Sequence, residues 1–170
     1  MQISLVAAMS KNHVIGANGK LPWLRIPADM RRFRELTLGK PVVMGRRTFE
    51  SLGRKPLKGR WNVVLSRDRK YEAPNCLLLH SVEDVLHVLA GFEEVMVIGG
   101  AEIYRAFLPH ASRIYLTVVA QTFAGDAYFP NVNWLKDWRA VELRPIKKGP
   151  TSPYNLWFDV FERYSSPVSP

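Results

Sequence analysis

The sequence predicts an α/β fold: a mostly parallel central sheet of about eight strands, with an antiparallel C-terminal hairpin, flanked by about four helices. Three observations predict it. Short apolar runs rich in β-branched residues alternate with stretches of helical periodicity, the pattern of successive βαβ units. The first of these runs is nearly continuous, as a strand buried on both faces would be. Residues 138–143 and 156–161 instead alternate apolar with polar, the mark of an antiparallel pair with one wetted face. At 170 residues and 47% hydrophobic, the chain suits one domain, read as residues 1–164. Residues 165–170, with three serines and two prolines, read as a flexible tail.

The elements follow in order. Residues 3–9 form the first strand. Residues 11–20 read as loop, punctuated by Asn12, Gly16, Asn18 and Gly19, with Val14 and Ile15 as one apolar interruption. The whole connection from Ser10 to Ile26 is long for a compact domain and is a candidate active-site cover. Pro27 suits the first position of a helix, which runs to about Leu38 and stops at Gly39. Met30, Phe33, Leu36 and Thr37 recur at helical spacing, so Asp29 sits on the inward stripe. Residues 42–44 are a strand, residues 49–52 a single short helix, and residues 54–59 a basic loop. Strands at 61–65 and 77–79 come next, then a helix at 82–90 with Ser81 as its N-cap. A strand at 94–98 breaks at Gly99-Gly100, and a helix at 101–108 is stopped by Pro109. Residues 113–119 are β-rich, and residues 125–130 are a turn region.

Charge is concentrated. The formal net charge is +9, yet residues 25–70 alone carry 14 basic and four acidic side chains, a net of +10. Such a segment calls for an anionic partner, either a nucleic acid or a small polyanion. Three strand ends narrow the choice. Gly45-Arg46-Arg47-Thr48 and Gly99-Gly100-Ala101 each sit where a strand feeds a helix, and Ser66-Arg67 ends a third strand. Free N–H groups, glycines without a Cβ and bidentate guanidinium groups suit phosphates there. A nucleotide with several phosphates is the better reading. Neither G-x-G-x-x-G nor a Walker motif is present.

Other chemistries find little support. No serine lies in a G-x-S-x-G elbow. The four histidines (His13, His80, His87, His110) lack metal-ligand spacing and read as structural or surface. Cys76 is the single cysteine, and no apolar run approaches the ~18 residues of a membrane span. With no basic leader before the first strand, the expected compartment is the cytoplasm. Asp29 is left as the one acid on an inward face.

These residues resemble the dihydrofolate reductase family, and the resemblance runs collinearly over roughly residues 2–163. Its markers are Val14-Ile15-Gly16, Leu21-Pro22-Trp23, Pro27-Ala28-Asp29 and the run Val43-Met44-Gly45-Arg46-Arg47-Thr48-Phe49-Glu50-Ser51. Arg60, Ile98-Gly99-Gly100, Leu116-Thr117 and Gly125-Asp126 to Phe129-Pro130 follow. The resemblance implies hydride transfer from NADPH to 7,8-dihydrofolate, giving tetrahydrofolate for one-carbon and thymidylate metabolism. It also implies a monomer that binds no nucleic acid and no membrane.

By the same resemblance, Asp29 binds the pterin with Thr117 behind it, and Trp23 orders a water for protonation at N5. Val6, Met30, Phe33, Leu52, Leu57 and Ile98 are the apolar substrate walls, while Arg34 and Arg60 meet the glutamate tail. Ala8, Ile15, Gly16, Asn18, Gly19 and Leu21 are implied at the nicotinamide. Gly99 and Gly100, joined in the family by a cis peptide, approach the pyrophosphate with Ala101, Ile103 and Tyr104 beside them. Gly45, Arg46, Arg47, Thr48, Ser66 and Arg67 surround the adenosine 2′-phosphate. Two spacings depart from the family pattern by one added residue: the segment between Trp23 and Pro27, and the loop 54–60. A related pteridine or flavin-precursor reductase is the near alternative, and a basic RNA-binding module the distant one.

Overall fold

The computed structural model describes residues 1–164, so the tail expected at residues 165–170 lies outside the described residues. The first half runs β1 (Gln2–Ser10), β2 (Val14–Gly16), α1 (Pro27–Thr37), β3 (Pro41–Gly45), α2 (Arg46–Ser51), β4 (Trp61–Leu65) and β5 (Leu77–Leu79). The second runs α3 (Val82–Val88), β6 (Glu94–Gly99), α4 (Ala101–Phe107), β7 (Arg113–Val119), β8 (Ala127–Tyr128), α5 (Trp134–Asp137), β9 (Trp138–Ile146) and β10 (Leu156–Arg163).

Eight strands make one sheet in the order β5-β4-β3-β6-β1-β7-β10-β9. The pairs from β5 through to β7 are all parallel, and β10 joins antiparallel to both β7 and β9. The central strands are buried on both faces because successive residues feed different cores. Ile3, Leu5, Val43, Val63, Val95 and Val97 pack on one side with Phe107 and Val85. Val6, Val42, Met44, Val64 and Met96 pack on the other with Phe49, and Phe33 and Leu36 of α1 close over them. The near-continuous apolar runs follow from this two-sided burial. β9 is the edge strand and is mostly exposed; Pro145 within it and a register shift at Val160/Phe161 in β10 disfavour pairing with another chain.

The structure corrects several boundaries. The loop expected at residues 11–20 contains β2, and the turn region at 125–130 contains β8; the two pair antiparallel outside the main sheet. α2 starts at Arg46, three residues ahead of expectation, with Gly45 extended as its N-cap and Arg46 paired to Glu50 one turn on. A fifth helix, α5, is a single turn that the Asn133 side chain caps through the Lys136 N–H. Among the described residues no helix is long and apolar enough to cross a membrane.

Candidate active site

The carboxyl ends of β1, β3, β4 and β6, the inner face of α1 and the loops after them enclose one cleft of about 1900 Å³. Pockets for a single small ligand run about 300–1,000 Å³, so this cleft has room for two. It lies where open parallel sheets bind ligands, outside the strands' carboxyl ends.

At one end sits Asp29. Pro27 opens α1 and brings Asp29 into its first turn. Thr117 lies in the middle of β7, in register with Ala8 of β1 and Phe158 of β10, and is almost fully buried. Its hydroxyl donates to Oδ1 of Asp29 at 2.6 Å. Burial pushes the Asp29 carboxyl above its usual range, while the Thr117 hydrogen bond and the nearby Arg32 guanidinium pull the other way. The result is an acid able to take up a proton while one of its oxygens stays held.

Beyond Asp29 the wall is apolar. Val6, Phe33, Leu57 and Ile98 line it, with Met30 and Leu52 at its more exposed margin. Two arginines close this side. Arg60 donates from Nε to the Lys58 carbonyl (2.8 Å) and from Nη1 to Thr37 Oγ1 (3.2 Å), and Arg34 lies near enough to disfavour a second charge. The loop before Arg60 is pinned by Asn62, whose side chain exchanges hydrogen bonds with both backbone groups of Leu57. Arg54 turns away to Tyr71 and the Glu72 carbonyl, and neither it nor Lys55 or Lys58 lines the cleft.

The other end is basic and glycine-bearing. Arg46, Arg47, Thr48, Ser66 and Arg67 line it. Arg46 pairs with Glu50 at 2.9 Å and Asp68 at 3.7 Å and stacks on Tyr71. Gly45 is packed so closely that an added Cβ would come within 2.9 Å of Ile103. The Gly99–Gly100 peptide is cis and Gly99 has φ +113°. Tyr104 fixes this corner, its hydroxyl facing the Val6 and Ile98 carbonyls at 2.7 and 2.9 Å. Ala8, Ile15, Gly16, Gly19, Leu21, Gly100, Ala101, Ile103 and Tyr104 line the stretch between the two ends.

Three expected residues do not line the cleft. Trp23 is buried with Ile26, Val119, Leu156 and Phe158, its ring edge-on to Phe123 at 5.8 Å. Asn18 turns with φ +51° and gives its N–H to Asp126. Gly99 is covered by the Tyr104 ring, which lies 3.0 Å from where a Cβ would be. Conversely, Arg32, His80 and Glu102 do line it. His80, read from sequence as structural or surface, holds the Ser66 carbonyl through Nδ1 at 2.8 Å. The one signal for Arg32 in the chain is its spacing, three residues after Asp29 and one turn along the same helix, which says nothing of what lies behind it.

A mostly parallel α/β sheet, a glycine-lined basic trough and a half-buried acid at the trough's far end define an enzyme site suited to a ligand lying beside a polyanion. Comparison with known proteins makes this specific. The chain matches the profile of the family described as dihydrofolate reductase over residues 2–163. It is 38% identical to a dihydrofolate reductase of Bacillus subtilis, over 96% of each chain. It is 47% identical to the type 3 dihydrofolate reductase of Salmonella typhimurium, over 84% of this chain and 86% of that one. Its fold superposes with a TM-score of 0.90 on a dihydrofolate reductase from Enterococcus faecalis complexed with NADP(H) and RAB-propyl; that protein is 33% identical, with 96% and 97% of the two chains covered. The chain belongs to the dihydrofolate reductase family.

Proposed function

We propose that the chain reduces 7,8-dihydrofolate to tetrahydrofolate with NADPH, the pterin seated at Asp29 and the cofactor laid along the strand ends. The observation that carries this is the Asp29–Thr117 pair at the apolar end of a cleft whose other end is basic. A carboxylate backed by one donor is tolerated in an apolar pocket when a ligand brings two more, as the N3–H and 2-amino group of a pterin do.

The residues at the basic end fit NADPH. The close-packed glycine at 45, the glycine pair, and Arg46, Arg47 and Arg67 lining the cleft with Ser66 suit a dinucleotide that carries an extra phosphate. When bound, NADPH supplies the hydride. The chain's own residues do the rest. Arg46, Arg47, Thr48, Ser66 and Arg67 would hold the 2′-phosphate, Gly100 and Ala101 would admit the pyrophosphate, and Ala8, Ile15 and Gly16 would hold the nicotinamide. Asp29 orients the pterin and, with its ionisation held up by burial, favours a proton at N5. Phe33, Leu57 and Ile98 exclude water along the benzoyl ring, and Arg34 and Arg60 meet the glutamate carboxylates. A monomer working in the cytoplasm, with no nucleic-acid partner, completes the reading.

NADPH absorbance should fall only when dihydrofolate is added. Asp29→Asn, folded by circular dichroism, should lose about 10²- to 10⁴-fold in turnover, the range for a proton-handling group. An undiminished rate in that variant would remove Asp29 from this role.

A further inference from the structure

Arg32 is a charged side chain on the inner face of α1 that neither ligand site absorbs. Its Nη1 reaches the Leu116 carbonyl at 3.3 Å and Thr117 Oγ1 at 3.4 Å, and its Nη2 reaches the Asp159 carbonyl at 3.2 Å. Its guanidinium lies over the Phe158 ring, 4.6 Å from the centroid, while Arg144 approaches the same ring at 5.2 Å. Two strands, β7 and β10, therefore fix one cation behind the site.

We propose that Arg32 is a positioning residue: it aims the Thr117 hydroxyl at Asp29 and lends that carboxylate a fixed positive charge. A guanidinium N–H only donates, so Thr117 Oγ1 must accept from it and its own proton is left for Asp29. Both distances end on the same oxygen, which puts the guanidinium nitrogen within about 6 Å of Asp29 Oδ1. At that range an opposite charge stabilises a carboxylate appreciably in a water-poor pocket. The other charges facing the pair are few. Asp29 also meets the field of the buried Tyr104 hydroxyl on α4. Arg32 meets Asp159 on β10 and Glu142 and Arg144 on β9.

This rests on the reading of Asp29 as the group that favours a proton at N5, and one experiment separates the two. In full-length protein labelled with [4-¹³C]aspartate, the Asp29 signal is assigned by its loss in Asp29→Asn, and Asp159 is followed as a separate signal. Arg32→Met should move the Asp29 midpoint upward by about one pH unit. Arg32→Lys, which keeps the charge, should restore most of that shift. In Arg32→Met the low-pH to high-pH fall of kcat/KM for dihydrofolate should move upward by the same amount. An unmoved Asp29 midpoint in Arg32→Met, or an equal shift in Arg32→Lys, would overturn the proposal. A moved midpoint with an unmoved rate profile would uphold the coupling and overturn Asp29 as the group that favours protonation at N5. Should Arg32→Met fail to fold, Arg32→Gln removes the charge while keeping an N–H donor, and the same upward shift is required of it.

Discussion

The Thr117 hydroxyl donates to Asp29 Oδ1 at 2.6 Å across 88 positions of sequence. One partner sits in a strand paired on both sides and the other in the first turn of a helix, so neither can drift from the other without disturbing β7 or α1. Removing the donor leaves a partly buried carboxylate uncompensated. A hydrogen bond to a charged group is worth about 1.5–3 kcal/mol, or roughly ten- to a hundredfold. Thr117→Val should lower kcat/KM for dihydrofolate by that factor at pH 8. The loss should shrink towards low pH, where the acid is protonated in both proteins, and a pH–rate profile checks it.

Arg46 is exposed and already engaged by Glu50 and Asp68, so it contributes little to the fold and is free to be judged by ligand binding alone. Arg46→Ala should cut the preference for NADPH over NADH by about tenfold, the scale of one lost charge-assisted contact. The ratio of kcat/KM for the two nucleotides reads this directly, with NADH turnover as the internal control.

Asp159 bears on stability. It is buried, its Oδ1 has no hydrogen-bond partner among the described residues, and burial pushes its carboxyl from 3.8 up to about 6, with Arg32 opposing and Glu142 adding to the rise. The folded chain therefore binds this proton more tightly than the unfolded chain. Its ionisation costs stability as pH rises from about 3.8 to 6 and the cost is fully present above, on the order of 2–3 kcal/mol. Asp159→Asn should raise the unfolding midpoint at pH 8, and the gain should vanish below pH 4. Urea titrations of both proteins at the two pH values measure it.

Gly99 combines φ +113° with a Tyr104 ring only 3.0 Å from any added Cβ. Gly99→Ala should lose about 1–3 kcal/mol through that backbone conformation alone. It should also loosen Tyr104 from the Val6 and Ile98 carbonyls. The urea midpoint should fall without a change in slope.

Much of this was legible in the chain. The central strands announced themselves because burial on both faces demands unbroken apolar runs, and Pro27, Gly39 and Ser81 marked helix ends through their backbone chemistry. The strand-end glycines and arginines pointed to the basic trough. Other features were hidden for physical reasons. β2 and β8 are too short for a period-two pattern, and Val14 alone of their residues is fully buried. α5 is one turn held by a side-chain cap. Trp23 was expected at the site through the family resemblance, and nothing in the chain's pattern announces that its ring lies edge-on to Phe123, a hundred positions on. Arg32 reads as an ordinary solvated charge until Thr117, Phe158 and Asp159 are brought behind it, all at least 84 positions distant.

The placement of β1 has a consequence for how the chain is made. It is synthesised well before both of its neighbours, since β6 and β7 begin only at residues 94 and 113. At about 5–20 residues per second, β1 waits on the order of 5–20 s before either edge can be paired. Its carbonyls and amides, and the apolar side chains of both faces, stay uncovered for that interval. Contacts so distant in sequence also slow folding of the finished chain. An N-terminal fragment ending before residue 94 has no partner for its first strand, and such fragments should be the ones that aggregate or recruit chaperones during synthesis.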